Sequence, residues 1–178
     1  MKPAVLIIDV QQALCEGKGT PFDCTGTIAR INTVTRKARQ AGVPVVFIQH
    51  EAADTPLAHG SAGWQLAQGL DAGAADRRVR KTTPDSFLRT ELEELLRGAG
   101  VDHLIVCGMH TEFCVDTTTR RALALGFPVT LVSDAHTSAG NAAIAAQQVI
   151  AHHNATLANI ASFGPRARAV PSSSIAFA

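Results

Sequence analysis

"HLIVCGMHTEFCVDTTTRRALALGF", residues 103–127, decides the fold class. Its first seven residues form a continuous apolar run without polar alternation, as a strand buried on both faces reads. After Met109 the pattern turns helical and stops at Gly126, a residue suited to the turn that ends a helix. A strand running into a helix is half of a βαβ unit, and Cys114 stands at the joint. Free cysteine is among the most buried residue types, so packing is one reading. The first turn of a helix presents unpaired N–H groups that favour a thiolate, so a nucleophile is the other.

The same alternation extends in both directions. "AVLIID" (4–9) is a buried strand, and "GTIARINTVTRKARQAG" (26–42) places Ile28, Ile31, Val34 and Ala38 on one helical face before closing at Gly42. "VPVVFIQ" (43–49) is a second strand, and "RRVRK" (77–81) a short third one. Between them lies an irregular section, 50–76, of the length that in compact domains is a functional or assembly surface. "TELEELLRGAG" predicts a helix with Thr90 as N-cap and Glu93 completing a capping box. "PVTLVSDA" (128–135) is a fifth strand, "NAAIAAQQVIAHHN" (141–154) a helix, "ATLANIAS" (155–162) a sixth strand, and "VPSSSIAFA" a surface tail. This order predicts an α/β fold: a three-layer α-β-α domain with a six-stranded, mostly parallel Rossmann-like sheet. Right-handed crossovers then bring every strand's C-terminal end to one edge, where such folds bind ligands.

The bulk properties agree with a single domain over residues 1–178. With 46% hydrophobic and 17% charged residues, the chain can bury a substantial core. A formal net charge of +1 and the brevity of "RRVRK" argue against a nucleic-acid partner. "VLIIDV" is far shorter than the roughly 20 apolar residues that span a bilayer, so no membrane partner is expected. The four cysteines (Cys15, Cys24, Cys107 and Cys114) form no C-x-x-C pair and no zinc spacing, and no secretory signal precedes them. A reducing cytoplasm is the expected compartment.

Three chain-distant residues converge on the ligand-binding edge. Asp9 ends the first strand, Lys81 ends the third, and Cys114 follows the fourth. Taken singly, they read as a turn aspartate, a surface lysine and a core cysteine. Taken together they are the parts of a cysteine nucleophile. A thiol with a pKa of about 8.5 is mostly neutral at neutral pH. An ammonium and a helix N-terminus stabilise the thiolate, and a carboxylate takes the thiol proton and returns it to a leaving group. Backbone N–H groups where "GMHTEFC" enters its helix are placed to hold an oxyanion.

These residues resemble a known family, the isochorismatase-like cysteine hydrolases, which include nicotinamidases, ureidoacid amidohydrolases and isochorismatases. "LIIDVQQAL" is similar to the family's opening strand with its Asp-x-Gln signature, here Asp9 and Gln11. "RKTTPDSFLRTELEELLRGAGVDHLIVCG" resembles the lysine segment, with Lys81 ahead of Ser86 and Phe87. "GMHTEFCVDTTTRRALALGFPVTLVSDA" resembles the nucleophile segment and the strand after it. The resemblance covers about residues 4–160. It implies a Cys-Asp-Lys triad carried by Cys114, Asp9 and Lys81. It also implies a cis peptide at Met109–His110, which would aim the N–H groups of His110 and Cys114 at the oxyanion.

The departures from that pattern bear on substrate. Leu14 stands where an aromatic is usual, so stacking on a substrate ring is not expected. The metal-binding branch carries Asp-x-His after the second strand, whereas His50, Asp54 and His59 stand here at other spacings. No metal and no other cofactor is therefore predicted, and nicotinamide is disfavoured. Gln11, Leu14, His50, Trp64 and Phe113 are the candidate pocket residues, though for Trp64 a subunit contact is the slightly favoured reading, since Trp is enriched at interfaces.

The leading expectation is an amidohydrolase that cleaves a C–N bond of a small amide or ureide through a thioester on Cys114. A vinyl-ether hydrolase of isochorismatase type, with Asp9 as acid, is an alternative that needs no thiol. A non-catalytic binding or scaffold protein, and a redox sensor pairing Cys114 with Cys107, are readings from other classes. The expected partners are a small-molecule substrate and further copies of the chain in a homo-oligomer.

Overall fold

The computed structural model describes residues 1–17 and 19–177. Six strands form one sheet: β1 Pro3–Ile8, β2 Val45–His50, β3 Arg77–Lys81, β4 His103–Met109, β5 Val129–Thr137 and β6 Ala167–Val170. Every pairing is parallel, and the order across the sheet is β3-β2-β1-β4-β5-β6. The chain winds outward from β1 to one edge and then from β4 to the other. The winding reverses between β1 and β4, and in open α/β sheets the ligand crevice lies at the carboxyl ends of the strands at such a point.

Helices cover both faces. Helix α2 (Cys24–Gln40) follows the short α1 (Gln12–Cys15) and packs Ile28, Ile31, Val34 and Ala38 against Val5, Ile7, Val45 and Phe47. Helices α3 (Leu92–Gly98), α4 (Asp116–Ala124) and α5 (Ala146–Asn159) pack on the other face, with Leu92, Leu96, Leu123 and Leu157 against Leu6, Ile8, Val106 and Leu131. The central strands are apolar on both sides because each side meets a core. Among the described residues no helix is long and apolar enough to cross a membrane.

Three local expectations are corrected. The sixth strand is Ala167–Val170, not 155–162, because α5 runs on to Asn159. Leu157 lies eight residues after the buried Val149 and so falls on the same helical face. No capping box forms at α3. Thr90 Oγ1 donates to the Ser86 carbonyl at 2.7 Å, while Glu93 pairs with Arg97 one turn on at 2.8 Å. The end of the chain is not a free surface tail either. Ser172 donates its N–H and hydroxyl to the Asp134 carboxylate at 2.7 and 2.9 Å, and Ile175 is buried beside α2.

Gly108 positions the crevice. Its φ is +128°, and a Cβ built there would overlap the backbone amide and carbonyl of Ile8 on the neighbouring strand. Only glycine lets the end of β4 close on the end of β1, one residue before Asp9. Gly108→Ala is expected to destabilise the fold by about 3 kcal/mol, since overpacking and an unfavourable φ add. Urea unfolding measures this, and a loss below about 1 kcal/mol would mean that the strand ends yield to the methyl group.

Candidate active site

Asp9 leaves β1 with φ +53°, a conformation that aspartate tolerates better than most residues. Its N–H donates to the Ile48 carbonyl at 2.9 Å, which turns the side chain across the carboxyl ends of the strands. Lys81 closes β3, two strands away, and its long stem spans the end of β2. The two side chains meet at 2.7 Å (Lys81 Nζ to Asp9 Oδ2) and are 0% and 1% exposed. Lys81 Nζ also lies 3.3 Å from Cys114 Sγ. All three residues singled out in the sequence stand together.

The lysine ammonium has three protons and four neighbours: Asp9 Oδ2, the Thr83 carbonyl at 3.0 Å, Cys114 Sγ, and His50 Nδ1 at 3.3 Å. Asp9 and Thr83 hold two protons, which leaves the third to be shared by sulfur and imidazole. His50 is held below the ordinary histidine pKa by burial and by Lys81, so its Nδ1 is an acceptor. Asp9 Oδ1, buried, has no hydrogen-bond partner among the described residues.

Cys114 lies in a π-helical turn, Thr111–Val115, that joins β4 to α4. The peptide before it, Met109–His110, is cis. The His110 carbonyl accepts from Phe113 N–H at 3.1 Å and Val115 N–H at 3.2 Å, so the turn folds back on the cis bond. The surroundings of the sulfur favour its neutral form. Burial, with the Asp9 carboxylate, pushes the thiol up to about 12, and the Lys81 ammonium only partly opposes this. That direction favours the protonated sulfur at neutral pH.

Residues that sequence reasoning missed hold this turn. His136, on β5, is fully enclosed and kept neutral, its pKa pushed down to about 4 by burial. Asn154 Nδ2 donates to the Ser133 carbonyl at 2.9 Å, so its Oδ1 must accept from His136 Nε2 at 3.0 Å. That leaves His136 Nδ1 to accept from the Thr111 hydroxyl at 2.8 Å. The chain Asn154–His136–Thr111 ties β5 and α5 to the residue after His110. A single histidine on an apolar strand carries no sequence signal for this.

The pocket candidates divide. Gln11 does not face an open pocket. It is fully buried, with Oε1 accepting from His50 N–H and Nε2 placed 2.9 Å from the His50 and Trp64 carbonyls, so it clamps β2 to the long loop. Leu14 packs toward the α2 core. Trp64 stands edge-on to His59 and borders a cleft of about 550 Å³ with Arg78, Arg80 and Lys81, but neither Asp9 nor Cys114 lines that cleft. Phe113 is 58% exposed beside the nucleophile. The His110 imidazole is kept neutral by burial, and its Nε2 has no partner among the described residues.

His50, Asp54 and His59 do not converge. His50 faces Lys81, His59 Nε2 meets Arg80 at 3.1 Å, and among the described residues no three His, Cys, Asp or Glu side chains gather as a metal-holding group. Cys107 is enclosed on the α2 face, whereas Cys114 packs toward the opposite face, an arrangement that does not suit a disulfide between them.

Comparison with known proteins fits this geometry. The model of the isochorismatase domain matches residues 3–163. A streptothricin hydrolase of Streptomyces noursei is 39% identical over 134 residues, covering 75% of this chain and 49% of its own. The chain thus spans about half the length of that curated relative. A ureidoacrylate amidohydrolase of Variovorax paradoxus is 29% identical, with 79% of this chain and 71% of its own covered. A crystal structure described as an isochorismatase family protein superposes with a TM-score of 0.87 at 32% identity, covering 95% of this chain and 98% of that one.

A neutral resting thiol has a direct optical test. The 240 nm absorbance difference between the protein and its Cys114→Ala variant is expected to stay flat through about pH 9 and rise toward about pH 12. A rise centred near or below about pH 7 would show that Lys81 dominates and the sulfur rests as an ion.

Proposed function

This chain belongs to the isochorismatase family, and we propose that it is a cysteine hydrolase cleaving a C–N bond of a small amide or ureide. The observation that carries this reading is the position of Lys81 Nζ, 2.7 Å from Asp9 Oδ2 and 3.3 Å from Cys114 Sγ in a buried cluster. On this reading Cys114 is the nucleophile, Asp9 the general base and acid, and Lys81 the fixed charge that serves both.

Because the thiol rests protonated, ionisation and attack are coupled. Asp9 accepts the Cys114 proton through Oδ1 as Sγ bonds to the substrate carbonyl carbon. The third Lys81 proton turns from His50 toward the sulfur and stabilises the charge as it develops. The carbonyl oxygen takes up the electron pair and lies against the backbone N–H groups of His110 and Cys114. Collapse of this intermediate breaks the C–N bond, with Asp9 returning its proton to the departing nitrogen. Ammonia or an amine leaves, and an acyl thioester stays on Cys114. Asp9 then takes a proton from water, hydroxide adds to the thioester, and the acid departs as Sγ regains its proton. The net reaction is amide plus water to carboxylic acid plus amine.

The presence of the thiol favours this chemistry over vinyl-ether hydrolysis, which has no use for a nucleophile. The intact cluster likewise favours catalysis over a scaffold role. The name of one relative, a ureidoacrylate amidohydrolase, supports a C–N substrate, and that of another, a streptothricin hydrolase, supports hydrolysis. Phe113, exposed beside the nucleophile, offers an apolar surface that a small substrate or a second copy of the chain would cover.

Ammonia release from a panel of small amides and ureides tests the reading. The wild-type protein is expected to release ammonia from at least one member. Cys114→Ala is expected to lower that rate by about a thousandfold or more. Acid-quenched enzyme should carry the acyl mass on the peptide containing Cys114. Equal release by both proteins, or turnover without an adduct at steady state or in the first turnover, would rule out the thioester.

A further inference from the structure

The opposite end of the sheet holds a second cavity, about 390 Å³, roofed by the C-terminal residues that follow β6. It lies at the start of β4, and Cys114 lies beyond the end of that strand, about 20 Å away at 3.3 Å per residue. Its size falls within the range of about 300–1,000 Å³ typical of small-molecule sites. We propose that this cavity, bordered by His103, Thr130 and Arg168, binds a small monocarboxylate with an apolar body.

The polar wall is built in one direction. Arg168 can only donate, and its Nε donates to Thr130 Oγ1 at 3.0 Å. Thr130 Oγ1 also lies 2.8 Å from His103 Nε2. Besides accepting from Arg168, the threonine hydroxyl has its own proton to give, and on this proposal it goes to His103 Nε2. Burial and the nearby Arg168 charge hold His103 below the ordinary histidine pKa, so the ring is neutral. In that arrangement its one ring proton sits on Nδ1. His103 is 7% exposed, and Nδ1 is buried without a partner among the described residues. A buried N–H left without an acceptor costs about 1–3 kcal/mol, which an oxygen of a bound molecule would recover.

The surroundings select the class of molecule. The Arg168 guanidinium uses Nε on Thr130, which leaves its outer N–H groups available to a carboxylate. The nearby Asp102 carboxylate accepts from the Lys2 backbone N–H at 2.6 Å. Ile105, Val170 and Phe177 supply apolar wall for a short hydrocarbon body. An anion alone would leave that wall uncovered, and an alkyl chain alone would leave Nδ1 unsatisfied.

Titration calorimetry of the full chain with sodium hexanoate tests the site, with hexylammonium chloride as the control of opposite charge. Saturable one-to-one hexanoate binding is expected, with no binding of the amine. Arg168→Ala, a change at an exposed side chain, and His103→Phe should each weaken binding by about tenfold, the loss of one charge-assisted hydrogen bond. Cys114→Ala should leave it unchanged. Absence of saturable hexanoate binding, equal affinity in Arg168→Ala, or equal binding of the amine would overturn the proposal. Loss of binding in Cys114→Ala would place hexanoate at the other end of the sheet, with the same consequence.

Discussion

An ammonium and a carboxylate that have both left water depend on each other, and the Lys81–Asp9 pair is fully enclosed at 2.7 Å. Desolvating each group costs several kcal/mol, and their attraction offsets this only with good geometry and further hydrogen bonds. The neighbouring structure meets that condition. β1 and β3 end two strands apart, at a distance the lysine stem can span. The Thr83 carbonyl takes a second ammonium proton, and the Gln11 carboxamide fixes the backbone of His50 between them. Gly108 brings the end of β4 against Ile8, which carries the π-helical turn and its sulfur into range. The fold serves the pair more than the pair stabilises the fold.

The same enclosure sets the chemical character of the site. A thiol beside a lysine is easily taken for a standing thiolate. Here burial and Asp9 outweigh the ammonium and keep the proton on sulfur. The reactive ion then forms only as the proton moves to Asp9, whose Oδ1 has no other partner among the described residues. On the proposed reading, such a site is inert toward bulk electrophiles and active toward a carbonyl held in place. It spends its lysine on the transition state, not on the resting enzyme.

Much of this was legible from residue order alone. Continuous apolar runs marked the buried strands, because parallel strands meet a core on each side. Asp9, Lys81 and Cys114 were legible because each stands where a strand ends, and all parallel strands end on one edge. The sixth strand was not legible, since Thr156 and Ile160 are β-formers by type, yet the spacing of Val149 and Leu157 continues a helix. The resting charge of Cys114 was hidden as well, because burial depends on what covers the sulfur, and residue order does not show that. His136 and Gln11 escaped notice as supports for the same reason: their roles lie in hydrogen bonds to backbone and side chains far along the chain.

The dependence of Lys81 and Asp9 on each other is measured most directly by a double-mutant cycle in urea, with Asp9→Asn, Lys81→Met and the two combined. Each single change is expected to cost about 3–5 kcal/mol, because it leaves a buried charge without its partner. The combined variant should lose markedly less than the sum, by about 2 kcal/mol or more. Strictly additive losses would contradict the account, for they would mean that the two charges do not rely on each other.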